Sequence, residues 1–154
     1  MLTGKKIVLG VSGGIAAYKM ANVASMLSKL HADIHVVMTE NATHFITPET
    51  FEVLTGNHCY TDTFDRCMEL HVPHIALGTQ ADAILIAPAS ADVVGKIANG
   101  IADDMLTTCV LPATCPVMLA PSMNVHMYEN PIVQDNMKKL VSYGYEIIEA
   151  DEGY

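Results

Sequence analysis

KIVLGVSGG, residues 6–14, is a strand running into a turn. Lys6–Val11 is a short apolar run, Ser12-Gly13-Gly14 interrupts it, and Ala16, Met20, Val23, Ala24, Leu27 and Leu30 then recur at three- and four-residue steps. That is the pattern of a strand, a tight turn and an amphipathic helix. Working outward, residues 34–38 (IHVVM) read as a second strand, followed by a polar segment over residues 39–47 and a short helix opening at Pro48 and covering residues 49–55. Residues 83–87 (AILIA) read as a buried strand stopped by Pro88, with Ser90 as N-cap of a helix that closes at Asn99-Gly100.

A further helix is expected over residues 103–111, then a strand over 117–120. Asn130-Pro131 gives an N-cap with proline at the first helical position. Val133, Met137, Leu140 and Val141 make the apolar face of that helix, which ends at Gly144, and residues 146–148 form a last strand. Between residues 56 and 80 the periodicity is weak, and only a helix over residues 74–80 is expected. Five short apolar strands alternating with helices imply right-handed crossovers and a parallel sheet covered on both faces.

The 154 residues suit one domain, residues 1–154, without linker or repeat, and a domain of that size buries roughly 70% of its unfolded surface. Residues are 51% hydrophobic but only 6% aromatic, with no Trp and ten Met, so the core is expected to be aliphatic. A net charge of −9 with no basic run excludes a nucleic-acid surface. The first residues lack the pattern of a secretory signal, and no apolar run approaches the roughly 18 residues of a membrane span, so a soluble, cytoplasmic protein is expected. Cys59, Cys67, Cys109 and Cys115 include no C-x-x-C pair, and ordinary reduced thiols are the expectation.

Ligands of open parallel sheets bind outside the carboxyl ends of the strands. The segments there are Ser12-Gly13-Gly14, Thr39-Glu40-Asn41, Pro88-Ala89-Ser90-Ala91-Asp92 and Pro121-Ser122-Met123-Asn124, all small or polar, as a phosphate and a flat heterocycle require. The glycine turn lets backbone N–H groups approach a phosphate at the positive end of the following helix, and a plain strand–helix turn reads equally well. The G-x-G-x-x-G fingerprint is broken, because Ser12 and Ile15 stand at its second and third glycines. Glu40 sits where a nicotinamide-binding domain places its ribose carboxylate, but the broken glycine pattern counts against that cofactor. Asp92 and Ser90 also suit plain roles at a helix start. His71-x-x-His74, with Glu69 or His126, has a spacing that metal sites use; no acidic or cysteine set completes it, so no metal is expected. His74 remains a candidate acid or base.

Four stretches together resemble the homo-oligomeric flavin-containing cysteine decarboxylases: VSGGIAAYK (residues 11–19), HVPHIALGTQADAILIAPASAD (71–92), KIANGIADDMLTT (96–108) and APSMNVHMYENP (120–131). The last satisfies the family's P-x-M-N-x-x-M signature with Pro121, Met123, Asn124 and Met127. PASAD is similar to the family's PASANT but departs from it at Asp92 and Val93. The related flavin-dependent prenyltransferases are expected to lack the P-x-M-N signature. The resemblance covers essentially the whole chain and implies a three-layer α/β/α, Rossmann-like (flavodoxin-like) domain with five or six parallel strands.

It further implies FMN held by Ser12, Gly13, Gly14 and Ile15, by Thr39, Glu40 and Asn41, by Ser90, Ala91, Asp92 and Val93, and by Ser122. His74 would be the active-site histidine, and Asn124, beside Met123, would bind the substrate carboxylate. The implied activity is FMN-dependent decarboxylation of 4'-phosphopantothenoylcysteine in coenzyme A biosynthesis, through a thioaldehyde and an enethiol, by a homotrimer that in some relatives assembles into a dodecamer. A peptidyl-cysteine decarboxylase and a non-catalytic flavoprotein subunit are the alternatives. In this family a cysteine on a C-terminal clamp completes the reduction. None of the four cysteines matches it; the expectation is that the clamp lies outside this sequence, the alternatives being a protein that stops at the enethiol or one that has lost activity.

Overall fold

Alternation along the strands sorts the apolar side chains into two layers, one on each side of a parallel sheet. The computed structural model describes residues 1–65 and 73–149. Strands β1 (Lys6–Val11), β2 (Asp33–Met38), β3 (Ala83–Ala89), β4 (Val117–Pro121) and β5 (Glu146–Ile147) lie in the order β2-β1-β3-β4-β5, every neighbouring pair parallel. Val8 is in register with Ile84, and Ile84 with Val117. These three, with Val37, Ile86 and Leu119, point to one face and are buried. Leu9, Val11, Ile34, Val36 and Met38 point to the other.

Among the described residues seven helices supply the covering layers: α1 (Met20–Lys29), α2 (Pro48–Thr55), α3 (Pro73–Gln80), α4 (Ala91–Ala98), α5 (Met105–Val110), α6 (Val125–Glu129) and α7 (Pro131–Ser142). Ala24 of α1 and Phe51 of α2 pack on the Leu9 face. On the Val8 face lie Leu77 of α3, Leu106 of α5 and Met137 and Leu140 of α7. Packing is close at Gly10, where a Cβ would stand 2.5 Å from the Leu106 side chain, so α5 sits directly on the backbone of β1. Among the described residues no helix is long and apolar enough to cross a membrane.

Most helix ends follow local chemistry. Ser90 caps α4 by accepting the Val93 N–H, Asn130 caps α7 by accepting the Ile132 N–H, and Asp104 with Thr107 forms a reciprocal capping box on α5. Two expectations need correction. The helix after the glycine turn begins as a 3₁₀ turn over Ile15–Lys19 and becomes α-helical only at Met20. Strand β3 does not stop at Pro88 but continues to Ala89, because the ladder with β4 shifts register between Ile86 and Ala89. An irregular position of that kind has no ladder donor to lose, so proline is accommodated there.

The chain runs from β1 outward to β2 and then returns to place β3 on the other side of β1. The strand order therefore reverses between β1 and β3, and the crevice at their carboxyl ends is where ligands settle in open α/β sheets.

Candidate functional site

Three loops meet at that crevice and a fourth is joined to them, each bound to its neighbour by main-chain or near-main-chain contacts. The Thr39 N–H donates to Val11 O at 3.0 Å, joining the loop after β2 to the end of β1. The approach is so close that a Cβ on Gly13 would lie 2.5 Å from the Asn41 Cβ and 3.2 Å from its carbonyl carbon, so only glycine fits at position 13. Between β1 and β3 the joint is Ser12. Its N–H donates to Pro88 O at 3.2 Å, its hydroxyl donates to the same oxygen at 2.5 Å, and the Ser90 N–H donates to the Ser12 Oγ at 2.8 Å. The Ser122 N–H donates to Ala89 O at 3.1 Å, tying the loop after β4 to the same segment.

Gly13, Thr39, Glu40, Asn41, Ser90, Asp92 and Val93, seven of the residues expected to hold a cofactor, line one open cavity of about 730 Å³. Ligand pockets commonly span about 300–1,000 Å³. Gly14, Ile15 and Ala91 stand beside it without lining it, and Ser12 is fully buried with its hydroxyl committed to the loop joint. Ser122, Met123 and Asn124 lie past the Ala89 joint, outside the cavity wall. Asn124 caps α6, its side-chain oxygen accepting the His126 N–H at 2.8 Å. His74 is the second residue of α3; its side chain, with Glu69, His71 and Cys67, lies outside the described residues.

Charge in the cavity wall is mostly negative, from Glu40, Asp62, Asp92, Asp103 and Asp104. Lys96 is the cation among them, and it is engaged by Asp92 at 3.3 Å and Asp103 at 3.1 Å. Burial alone would lower its pKa, but hydrogen bonds to Asp103 and Asp92 outweigh that and hold it above the usual lysine value. An anion entering here therefore meets the main chain. Among the described residues nothing accepts from the N–H groups of Gly13, Gly14 or Ile15, and the first turn of α4 presents its own free N–H groups beside Ser90. The residues present thus fit a phosphate-bearing flat cofactor through amide donors and a polar, shaped recess.

Sequence reasoning missed part of the wall. Thr61, Asp62, Thr63 and Phe64 line the cavity because Tyr60 pairs with Val37 as an isolated parallel bridge, a nonlocal contact with no periodic signature. Lys96, Asp103, Asp104 and Met105 also line it. They were legible only as part of the family-like stretch over residues 96–108. The described cysteines stand away from the wall: burial pushes the Cys59 thiol up to about 12, with Glu52, Glu49 and Asp65 adding to it, and the Cys109 thiol up to about 12, with Asp104 adding. Burial also raises Cys115.

Comparison with known proteins places this geometry. The chain is 49% identical over 154 residues to the coenzyme A biosynthesis bifunctional protein CoaBC of Bacillus subtilis, covering 100% of this chain and 38% of that protein. It thus spans little more than a third of the length of such relatives. The crystal structure of the FMN-dependent cysteine decarboxylase SpaF superposes with a TM-score of 0.92 at 38% identity, covering 99% of this chain and 88% of that one. A PPC decarboxylase variant complexed with pantothenoylaminoethenethiol superposes with a TM-score of 0.80 at 30% identity, covering 94% and 81%. The Flavoprotein family profile matches residues 1–154, and the chain belongs to the Flavoprotein family.

Proposed function

We propose that the chain binds FMN at the carboxyl edge of β1, β2 and β3 and decarboxylates 4'-phosphopantothenoylcysteine, a step of coenzyme A biosynthesis. The observation that carries this is the stitching of the loops into one cradle whose free donors are backbone N–H groups. Support comes from the similarity to CoaBC and to a PPC decarboxylase that binds pantothenoylaminoethenethiol.

FMN, when bound, supplies the electron sink that a carboxylate next to a saturated carbon lacks. The chain supplies position and proton handling. The N–H groups of Gly13, Gly14 and Ile15 hold the phosphate, with the remaining contacts from Thr39, Glu40, Asn41, Ser90, Asp92 and Val93 in the wall and from Ala91 and Ser122 beside it; Ser12 contributes through the loop joint that its hydroxyl makes. Asn124, with Met123, orients the substrate carboxylate by the side-chain amide nitrogen, which the cap on α6 leaves unused. His74 moves the proton at the cysteine end of the substrate.

A second reading keeps the cofactor and changes the substrate to a peptide ending in cysteine. Superposition on the peptidyl-cysteine decarboxylase EpiD, with a TM-score of 0.85 at 26% identity against 0.80 for the PPC decarboxylase variant, favours keeping it in view. The protein acts as a homotrimer, in line with exposed Val125, Met127, Tyr128 and Ile132 clustered on α6 and the start of α7. Purified protein is expected to be yellow, with bands at about 370 and about 450 nm. Carbon dioxide released from the small phosphorylated substrate but not from cysteine-ending peptides supports the first reading, and the reverse supports the second. A colourless protein that binds no added FMN overturns both. Light scattering showing an FMN-loaded monomer overturns the trimer.

A further inference from the structure

Phe64 is 86% exposed, yet its backbone is tied down on both sides and it lines the cavity. On one side, the Tyr60 N–H donates to Val36 O at 3.0 Å and the Met38 N–H donates to Tyr60 O at 2.8 Å, so Tyr60 is clamped to β2. On the other, Asp65 Oδ2 meets His58 Nε2 at 2.5 Å, while His58 Nδ1 meets Glu52 Oε2 of α2 at 3.0 Å. The edge of the His58 ring packs on Tyr60 with centroids 4.7 Å apart at 90°. Within the strap, the Phe64 N–H donates to Asp62 Oδ1 at 2.9 Å and the Asp65 N–H to Asp62 O at 3.1 Å. Residues 58–65 thus form a closed loop, His58 latching its far end to its near end and both to α2.

Such ordering is unusual for a segment whose large apolar side chain reaches solvent. Phe51 and Tyr60, the neighbouring aromatics, are buried in the core; Phe64 is held out of it, at the wall of a recess whose other lining is mostly polar and acidic, Val93 and Met105 apart. A phenyl ring in that position gains most from a flat aromatic ligand that covers it. We propose that Phe64 packs its ring on the flat heterocycle of the bound cofactor, and that His58, by bridging Glu52 and Asp65, is the positioning residue that holds it there. The inference rests on the FMN reading given above and adds a contact which neither the glycine turn nor the PASAD segment supplies.

The test uses the full chain loaded with FMN. An indole in contact with a flavin quenches its fluorescence, whereas a phenyl ring does not. Phe64→Trp is therefore expected to lower bound-flavin emission well below that of the wild type. Phe64→Ala is expected to weaken FMN binding about tenfold, the scale of losing one base–aromatic stack. His58→Gln introduced into Phe64→Trp is expected to restore most of the emission, while His58→Gln alone leaves emission unchanged. Unaltered emission in Phe64→Trp, or unaltered FMN affinity in Phe64→Ala, overturns the contact. Quenching that survives His58→Gln overturns the positioning role while the Phe64 contact stands. Wild-type protein that binds no FMN defeats the cofactor reading itself, a result separable from the other two because it needs no variant.

Discussion

Ser12→Ala tests whether the cradle exists before any ligand arrives. The Ser12 side chain is fully buried and makes two hydrogen bonds, donating to Pro88 O at 2.5 Å and accepting the Ser90 N–H at 2.8 Å. Removing the hydroxyl deletes both. The Pro88 carbonyl keeps the Ser12 N–H at 3.2 Å as a donor, so it is not orphaned, but the Ser90 N–H loses its acceptor. Two ordinary hydrogen bonds contribute about 1 kcal/mol each, which puts the loss at about 2 kcal/mol. In a domain of this length that lowers the melting temperature by about 4 to 8 °C. The assay is thermal unfolding of the apoprotein, beside FMN titration of the same variant. A melting temperature unchanged without FMN, together with a large loss of FMN affinity, would refute the reasoning: the hydroxyl would then serve the ligand and not the joint.

Gly13→Ala and Gly14→Ala are expected to part company. A Cβ at 13 collides with Asn41, so the apoprotein loses about 1–3 kcal/mol by overpacking, whereas a Cβ at 14 finds only Pro88 Cγ at 3.8 Å and leaves the apo melting temperature unmoved while weakening FMN binding in a titration. His74→Asn is expected to abolish carbon dioxide release and leave the yellow colour intact; unchanged turnover would remove His74 from the catalytic group. Two buried thiols set an alkaline limit: Cys59 and Cys109 keep their protons up to about 12 in the folded state against 9.0 ordinarily, so the unfolded chain releases protons first. Stability is then whole below pH 9.0 and falls as the pH rises towards 12, by up to about 1.4 kcal/mol per pH unit for each thiol, and melting curves between pH 7 and 11 would show no such fall if the thiols were accessible.

What was legible in the sequence was local. The strand at Lys6–Val11, the Ser90 cap and the Asn130-Pro131 start each depend on residues within a few positions of one another, and each stands where its pattern put it. The loops of the site were legible for a topological reason, since parallel strands send their following loops to one edge. The passage of β3 through Pro88 was not, because it depends on a register shift against β4. Helix α6 spans five residues, too short for a periodic signal, and its cap Asn124 reads equally well as a substrate ligand. The Phe64 wall needed the Tyr60 bridge to a strand 23 positions earlier, Val37, and no residue near Tyr60 announces that pairing.

The broken glycine fingerprint has a structural explanation that bears on how an anion is held. Its first position, Gly10, is glycine because Leu106 of α5 lies on the β1 backbone, a packing demand unrelated to phosphate. The second position carries Ser12, which must be a hydroxyl residue to join β1 to the Pro88–Ser90 segment. The third is where a dinucleotide-binding turn needs glycine for close packing of helix on strand; here Ile15 is 79% exposed at the start of a 3₁₀ turn, so no close packing has to be accommodated. The loop is thus a different device with the same free amides. Among the described residues Lys96 is neutralised by Asp92 and Asp103 and the rest of the charged wall is acidic, so there those amides and the α4 terminus are what a phosphate can use, and affinity depends on the spacing of backbone groups that Ser12 and Gly13 maintain.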